Sequence, residues 1–199
     1  MDPALFDERL KKGGEDVEFF VRNALKNEQK YISVKDAVVE HPWWDGGTAK
    51  RQFRYGQGAA QIAGLPAIKG YTFHDFTNTS ETILVLFISA PIILTFGSAA
   101  VYLLFLFVVC LAEILTNLIR SVYLSGKFSI GLTFQLLLIK NCYEAGYMME
   151  CLMRGRFSGL TERIDMGFSK KSPGWFRLNK WKITKMFLIA LGILWIISA

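Results

Sequence analysis

Glu113 stands out among the ionisable side chains of this sequence because it lies inside a long apolar run. No other Asp, Glu, Lys or Arg occurs between residues 82 and 119. A carboxylate is costly in lipid and often serves an ion or proton pathway. Asn117 and Arg120 follow on the same helix face, and helical rise places Glu113 about 10 Å from the interface. This spacing favours a structural contact, or a contact with a neighbouring subunit, over transport.

Lys140 and Glu144 form a second candidate group. They are four residues apart, so they can pair on one face of a helix. In a spanning helix this pair would lie near the middle of the bilayer, which is costly. An interfacial helix, or one packed on its neighbours, avoids that cost. We therefore predict that Glu113, Asn117, Lys140 and Glu144 make intramembrane or interface polar contacts, and that the helix with the Lys140–Glu144 pair does not span.

The residues that could act as nucleophiles or metal ligands are isolated. Cys110, Cys142 and Cys151 lie in apolar or amphipathic stretches and form no CxxC motif. Neither His41 nor His74 has a second ligand at the spacing of a metal site. Phosphate-binding glycine loops and nucleophile elbows are also missing from the sequence. We predict reduced cysteines, no catalytic residue, no cofactor and no metal site.

Two pairs of residues in the first third of the chain indicate a partner surface. Trp43 and Trp44 follow Pro42, which ends a predicted helix, and Arg51 and Arg54 alternate with aromatic residues. Interleaved cations and aromatics also occur in nucleic-acid sites. The cluster is small, however, so it favours a partner subunit or lipid headgroups. We predict partner contacts at Trp43, Trp44, Arg51 and Arg54, and no nucleic acid or small-molecule substrate.

The net charge of +6, from 23 Lys and Arg against 17 Asp and Glu, is unevenly distributed. Residues 1–80 carry 11 basic and 11 acidic side chains, whereas residues 81–199 carry 12 and 6. The positive-inside rule places the basic segment 120–182 on the cytoplasmic or matrix side. Basic and aromatic residues just before an apolar segment suit anionic headgroups. This predicts a lipid surface at Lys170, Lys171, Trp175, Arg177, Lys180 and Trp181.

The elements that position these residues begin with a polar N-terminal part. Residues 1–44 show helical spacing of apolar residues and predict a small soluble helical segment, with Ser33 capping a further short helix through Glu40. Residues 45–81 are rich in glycine and predict a connector without regular structure. The N-terminus lacks the apolar stretch of a signal peptide, so we expect this part on the cytoplasmic side.

The apolar segments predict the membrane part. Residues 82–119 are too long for one untilted span, and Pro91 and Gly97 interrupt them. They form either a hairpin (Thr82–Phe96 and 99–119) or one long kinked helix. The hairpin is favoured, because it keeps both flanking segments on one side. Residues 128–153 predict an amphipathic helix, and residues 183–199 a final span.

These observations predict an all-α membrane protein with two or three transmembrane helices in a bacterial or organellar inner membrane. The hydrophobic share of 52% excludes a polar disordered chain. The leading function is a non-catalytic subunit that anchors or braces a multi-protein membrane assembly of secretion, conjugation or respiratory type. The alternative is a small oligomeric channel or transporter using Glu113. A lipid-active enzyme ranks last, because no nucleophile–base pair supports it.

Overall fold

The computed structural model of the chain describes residues 7, 9, 10, 12–23, 48–75, 79–165 and 180–198. Within these residues the chain is mostly helical. The six helices of the described part are α1 (Glu15–Val21), α2 (Thr48–Ala63), α3 (Thr79–Phe96), α4 (Ala99–Ser125), α5 (Ile130–Met153) and α6 (Lys180–Ser198).

The apolar segment 82–119 forms two helices, α3 and α4, that fold back on each other. The break lies at Gly97 and Ser98, and the Ser98 hydroxyl caps α4 by accepting a hydrogen bond from the backbone N–H of Val101. The Tyr102 hydroxyl donates to the carbonyl oxygen of Leu86 at 3.1 Å. In one continuous helix these two residues would be about 24 Å apart. The chain therefore forms a hairpin at this point, and α3 continues through Pro91.

Two of the described helices are long and apolar enough to cross a membrane, namely α4 and α6. They run antiparallel, since the Trp181 and Tyr123 rings pack edge to face at 5.5 Å and Gly192 lies against Val108 near the other end. The apolar part of α3, Thr82–Phe96, is shorter. Helix α4 extends six residues beyond the predicted end at Ile119, and α6 begins at Lys180 rather than at residue 183.

The prediction of an irregular connector over residues 45–81 is wrong, because α2 occupies Thr48–Ala63. Gly56 of this segment serves a close helix crossing instead of a loop. A Cβ atom on Gly56 would overlap the carbonyl oxygen of Tyr143, and one on Gly146 would overlap that of Phe53. The backbones of α2 and α5 can approach this closely only where side chains are missing. The same composition that suggests a loop thus permits tight packing.

A short antiparallel ribbon is the β-structure of the described residues. Strand β1 (Thr72–His74) pairs with β2 (Glu162–Ile164), so that Phe73 faces Arg163 across the ribbon. Strands of three residues are too short to give a recognisable alternation in the sequence. With α2, the second half of α5 and the short 3-10 helix Phe157–Leu160, the ribbon forms what we call the head. The buried residues at its centre are Ala60, Ala63, Tyr147, Cys151 and Leu160.

Outside the head, large apolar side chains are exposed and polar side chains are buried. Large apolar side chains on α3, α4 and α6 point outward, with Phe87 74% exposed and Phe96 87% exposed. The predicted apolar stripe of α5 is also exposed in its first half, at Ile130 and Phe134. The buried face of α5 instead carries Thr133, Glu144, Gly146, Tyr147, Glu150 and Cys151. In this half of α5 the apolar stripe is not packed on neighbouring elements, and the interfacial position that the sequence also allowed stays a prediction.

Candidate functional site

The Glu113 carboxylate lies at the junction of three helices. Its Oε1 accepts a hydrogen bond from Lys140 Nζ of α5 at 2.7 Å, and its Oε2 pairs with Lys185 Nζ of α6 at 2.6 Å. Asn117 Nδ2 donates to Oε1 at 3.0 Å, and Lys185 Nζ also donates to Thr82 Oγ1 at 3.3 Å. We call these five residues the Glu113 cluster. The cluster ties α3, α4, α5 and α6 together at one level.

The burial of the cluster decides what the charges cost. The Lys185 side chain is 3% exposed and that of Glu113 is 16% exposed, whereas Lys140 retains 26%. A buried charge is tolerated when it is paired and its remaining polar atoms are hydrogen-bonded. Both carboxylate oxygens and Asn117 meet this condition. The grouping of Glu113 with Asn117 thus agrees with the expected helix face.

The predicted pairing of Lys140 with Glu144 is wrong. Lys140 contacts Glu113, whereas Glu144 accepts a hydrogen bond from Arg163 Nη2 of β2 at 2.5 Å. A pair at this spacing on one helix contributes only about 0.2–0.5 kcal/mol. Charges supplied by other elements, in a more buried place, outweigh it. The spacing along the helix could not show these partners, because they come from elements that are distant in sequence.

Arg163 is one of the residues of the head that the sequence did not single out. Its guanidinium stacks 4.4 Å from the centre of the Tyr147 ring and donates to the carbonyl oxygen of Leu160 at 2.9 Å. Both Arg163 and Glu144 are buried. The planar fork of arginine can bind a carboxylate, a carbonyl and an aromatic face together, which lysine cannot. In the sequence, Arg163 is one cation of a basic segment, and its spacing does not mark it.

Glu150 is a second buried carboxylate of the head. It binds Lys12 at 2.7 Å, Arg154 at 2.6 Å and Gln61 at 2.7 Å. Burial by itself would raise the pKa of Glu150, but these hydrogen bonds outweigh it and hold the pKa below its ordinary value. Through Lys12 the residues before α1 are joined to α2 and α5.

Glu162 is a third carboxylate of the head that pairs with cations. It accepts from Lys69 at 2.6 Å and from Arg156 at 2.8 Å. Arg156 also donates to the carbonyl oxygen of Ala60 at 2.6 Å. Where the head meets the apolar helices, Lys182 of α6 pairs with Asp75, just after β1. The buried carboxylates Glu144, Glu150 and Glu162 thus join elements of the head that are distant in sequence.

A cavity of about 320 Å³ lies beside the Glu113 cluster. Its walls are mainly apolar, and its polar side chains are Thr82, Glu113, Asn141 and Lys185. Cys110 also lines it. Within the described part of the chain no group of three His, Cys, Asp or Glu could hold a metal ion. Nδ1 of His74 is bonded to the Thr161 hydroxyl at 2.8 Å, in the ribbon.

The other predicted site residues lie apart from this cluster. Arg51 and Arg54 are on the first half of α2, where Arg54 is exposed. Lys180 Nζ lies 3.3 Å from the centre of the Tyr123 ring, which also packs against Trp181. The remaining predicted residues lie outside the described residues: Trp43, Trp44, Lys170, Lys171, Trp175 and Arg177. The helix predicted to begin at Ser33 lies outside them as well.

Comparisons of this chain with protein-family models, with curated proteins and with solved structures give no match.

Proposed function

We propose that this protein is a non-catalytic integral membrane subunit that anchors or braces a larger multi-protein assembly of secretion, conjugation or respiratory type. The observation that supports it best is the inverted burial of the apolar helices. Large hydrophobic side chains face outward, while Glu113, Lys140 and Lys185 pair inside. An apolar surface of this extent needs lipid or another protein to cover it.

The level of the helix ends supports one membrane orientation. Lys185 near the start of α6 contacts Thr82 near the start of α3, and Trp181 contacts Tyr123 near the end of α4. The starts of α3 and α6 and the end of α4 therefore lie on one side of the helices, the side where Asp75 joins α6 to the head. With the positive-inside rule, this side is cytoplasmic, or the matrix side of an organelle, and carries the N-terminal part and the basic segment.

A groove between α4 and α6 supports the role as a subunit. It has a volume of about 330 Å³ and is lined by apolar residues and glycine, among them Phe107, Leu111, Leu191, Gly192 and Trp195. Small residues let helices approach closely within a membrane. A bundle of this size has too few helices to enclose a pore by itself. We infer that a helix of a neighbouring subunit covers this groove.

The test is the mass of the protein extracted from its native membrane in mild detergent. We expect a stable complex larger than one chain, which Leu191→Trp dissociates by filling the groove. The matched control is Leu194→Trp, because Leu194 is exposed on the same helix but does not line the groove. A monomer without other subunits would contradict the proposal.

The alternative function is a small oligomeric channel or transporter, and the cavity next to Glu113 favours it. In that case Glu113→Gln abolishes flux into liposomes while the oligomer persists. Under the leading proposal the same variant weakens assembly, and the wild-type protein gives no flux. Glu113 already pairs with Lys140 and Lys185, and this supports the positioning role.

A further inference from the structure

The turn between α4 and α5 carries an exposed apolar surface that the packing of the molecule does not use. We call residues 119–139 the tip; it includes the end of α4, the turn and the first ten residues of α5. The large apolar side chains that are more than one third exposed here are Ile119, Val122, Leu124, Phe128, Ile130, Phe134, Leu138 and Ile139.

Apart from the exposed Gln135, the uncharged polar side chains of the tip lie on the inside or near the turn. The hydroxyl oxygens of Ser121 and Thr133 are 2.9 Å apart between the two helices, and both residues are buried. Gly126 ends α4 in the left-handed region, and the backbone N–H of Lys127 donates to Ser125 Oγ at 3.3 Å. The tip thus has a satisfied polar interior and an apolar exterior, a pattern suited to lipid.

Its charge is complementary to anionic headgroups. No Asp or Glu occurs in the sequence from residue 114 to residue 143, whereas Arg120 and Lys127 lie within the tip. Lys127 is exposed. Beside the tip, Lys180 lies over the Tyr123 ring, and Trp181 packs against the same ring. Tyr, Trp and Lys in one place are typical of the membrane–water interface.

The length of α4 places the apolar surface of the tip at the depth of the lipid headgroups. Its 27 residues extend about 40 Å, whereas the hydrocarbon core is about 30 Å thick. An upright α4 therefore has roughly two turns more than the core requires. Because the aromatic and basic residues gather at its tip end, we assign the excess to that end. The apolar surface of the tip is continuous with that of the candidate span.

We propose that the tip is a second membrane contact: its turn and the start of α5, through Phe134, lie in the headgroup layer and interface of an anionic leaflet. Phe128, Ile130 and Phe134 enter the boundary between headgroups and acyl chains, and Lys127 pairs with lipid phosphate. This inference rests on the proposed membrane location. It explains why α5 exposes apolar residues in its first half and buries charges in its second.

Depth-dependent fluorescence quenching in anionic nanodiscs tests the proposal. A fluorophore is attached at Phe134→Cys, Phe157→Cys or Phe87→Cys in a background whose three native cysteines are replaced by alanine. Phe157 is the matched control, since it is as exposed as Phe134 but belongs to the head. A quencher near the headgroup end of the lipid should reduce emission at residue 134 about twofold more than at residue 157.

The fluorophore at residue 87, in α3, distinguishes failure of the tip contact from failure of the membrane location. Quenching at residue 87 by a deep quencher, with equal quenching at residues 134 and 157, would overturn the tip contact and leave the membrane location intact. No quenching at residue 87 would overturn the membrane location itself. Quenching at residue 134 that is stronger for the shallow than for the deep quencher supports an interfacial tip.

Hydrogen exchange of the unmodified chain gives a second readout that does not depend on substitutions. Amides of the turn and the first turn of α5, residues 126–133, should exchange several-fold more slowly in anionic than in neutral nanodiscs. Added salt should remove that difference, because at 0.1 M salt the attraction between exposed charges decays over about 10 Å. Lys127→Gln should reduce it as well. Equal exchange in both lipids would overturn the assignment to anionic headgroups.

Discussion

Replacing Glu113 by glutamine removes the charge that holds α4, α5 and α6 together. The amide is nearly isosteric, so packing is retained while the pairs with Lys140 and Lys185 lose their anion. Lys140 is 26% exposed and can turn toward solvent or headgroups. Lys185 is 3% exposed and has no such route without moving α6. The cost of the substitution therefore falls mainly on Lys185.

The expected loss in the free energy of unfolding follows from this burial. Removing one partner of a buried ion pair costs about 3–5 kcal/mol, because an uncompensated charge remains. We take the lower end, about 3 kcal/mol, since Thr82 still accepts a hydrogen bond from Lys185. At about 1.4 kcal/mol for each factor of ten, the unfolding equilibrium constant should rise roughly a hundredfold.

The assay is equilibrium unfolding in mixed micelles, followed by tryptophan fluorescence. Trp181 and Trp195 lie on α6, the helix that Lys185 joins to α4, so their emission reports its release. The matched control is the double variant Glu113→Gln/Lys185→Met, which removes both charges and should recover more than half of the lost free energy.

A small effect would refute this reasoning. If Glu113→Gln lowers the free energy of unfolding by less than about 1 kcal/mol, the pairs behave like exposed surface pairs and the cluster does not clamp the helices. Failure of the double variant to recover stability would show that the carboxylate acts through something other than Lys185.

Three further outcomes concern the head, each measured as the free energy of unfolding in micelles. Gly146→Ala should destabilise by about 1–3 kcal/mol through overlap with the backbone of α2, whereas Gly131→Ala, with open space around it, should be neutral or stabilising. Glu144→Gln should cost about 3 kcal/mol by removing the carboxylate charge that the buried Arg163 guanidinium contacts; a loss equal to that of a surface pair would contradict this. Because the pKa of Glu150 is lowered in the fold, its stabilising contribution is full above the unfolded value of about 4.3. That contribution should disappear as the pH falls through the folded pKa, and Glu150→Gln should flatten this acid-side loss.

The apolar helices could be predicted from the sequence because their composition is decisive locally. Long charge-free stretches leave few alternatives to helices, and Gly97 marks the hairpin turn through its position between two such stretches. The helical content is supported by the structure, and the presence of two helices able to cross a membrane agrees with the expected spans. Glu113 was recognisable for the same reason, since one carboxylate in an apolar run is visible without any partner.

Only the tertiary structure decided which residues contact each other. Gly56 looks like a loop residue in the sequence, and only the crossing of α2 with α5 gives Gly56 and Gly146 a packing role. The partners of Lys140 and Glu144 come from α4 and β2, so spacing along one helix could not indicate them. The composition of a segment determines whether it prefers water or lipid, because each side chain contributes separately to the free energy of transfer. Pairing depends on the distances between distant segments, and these exist only once the chain is folded.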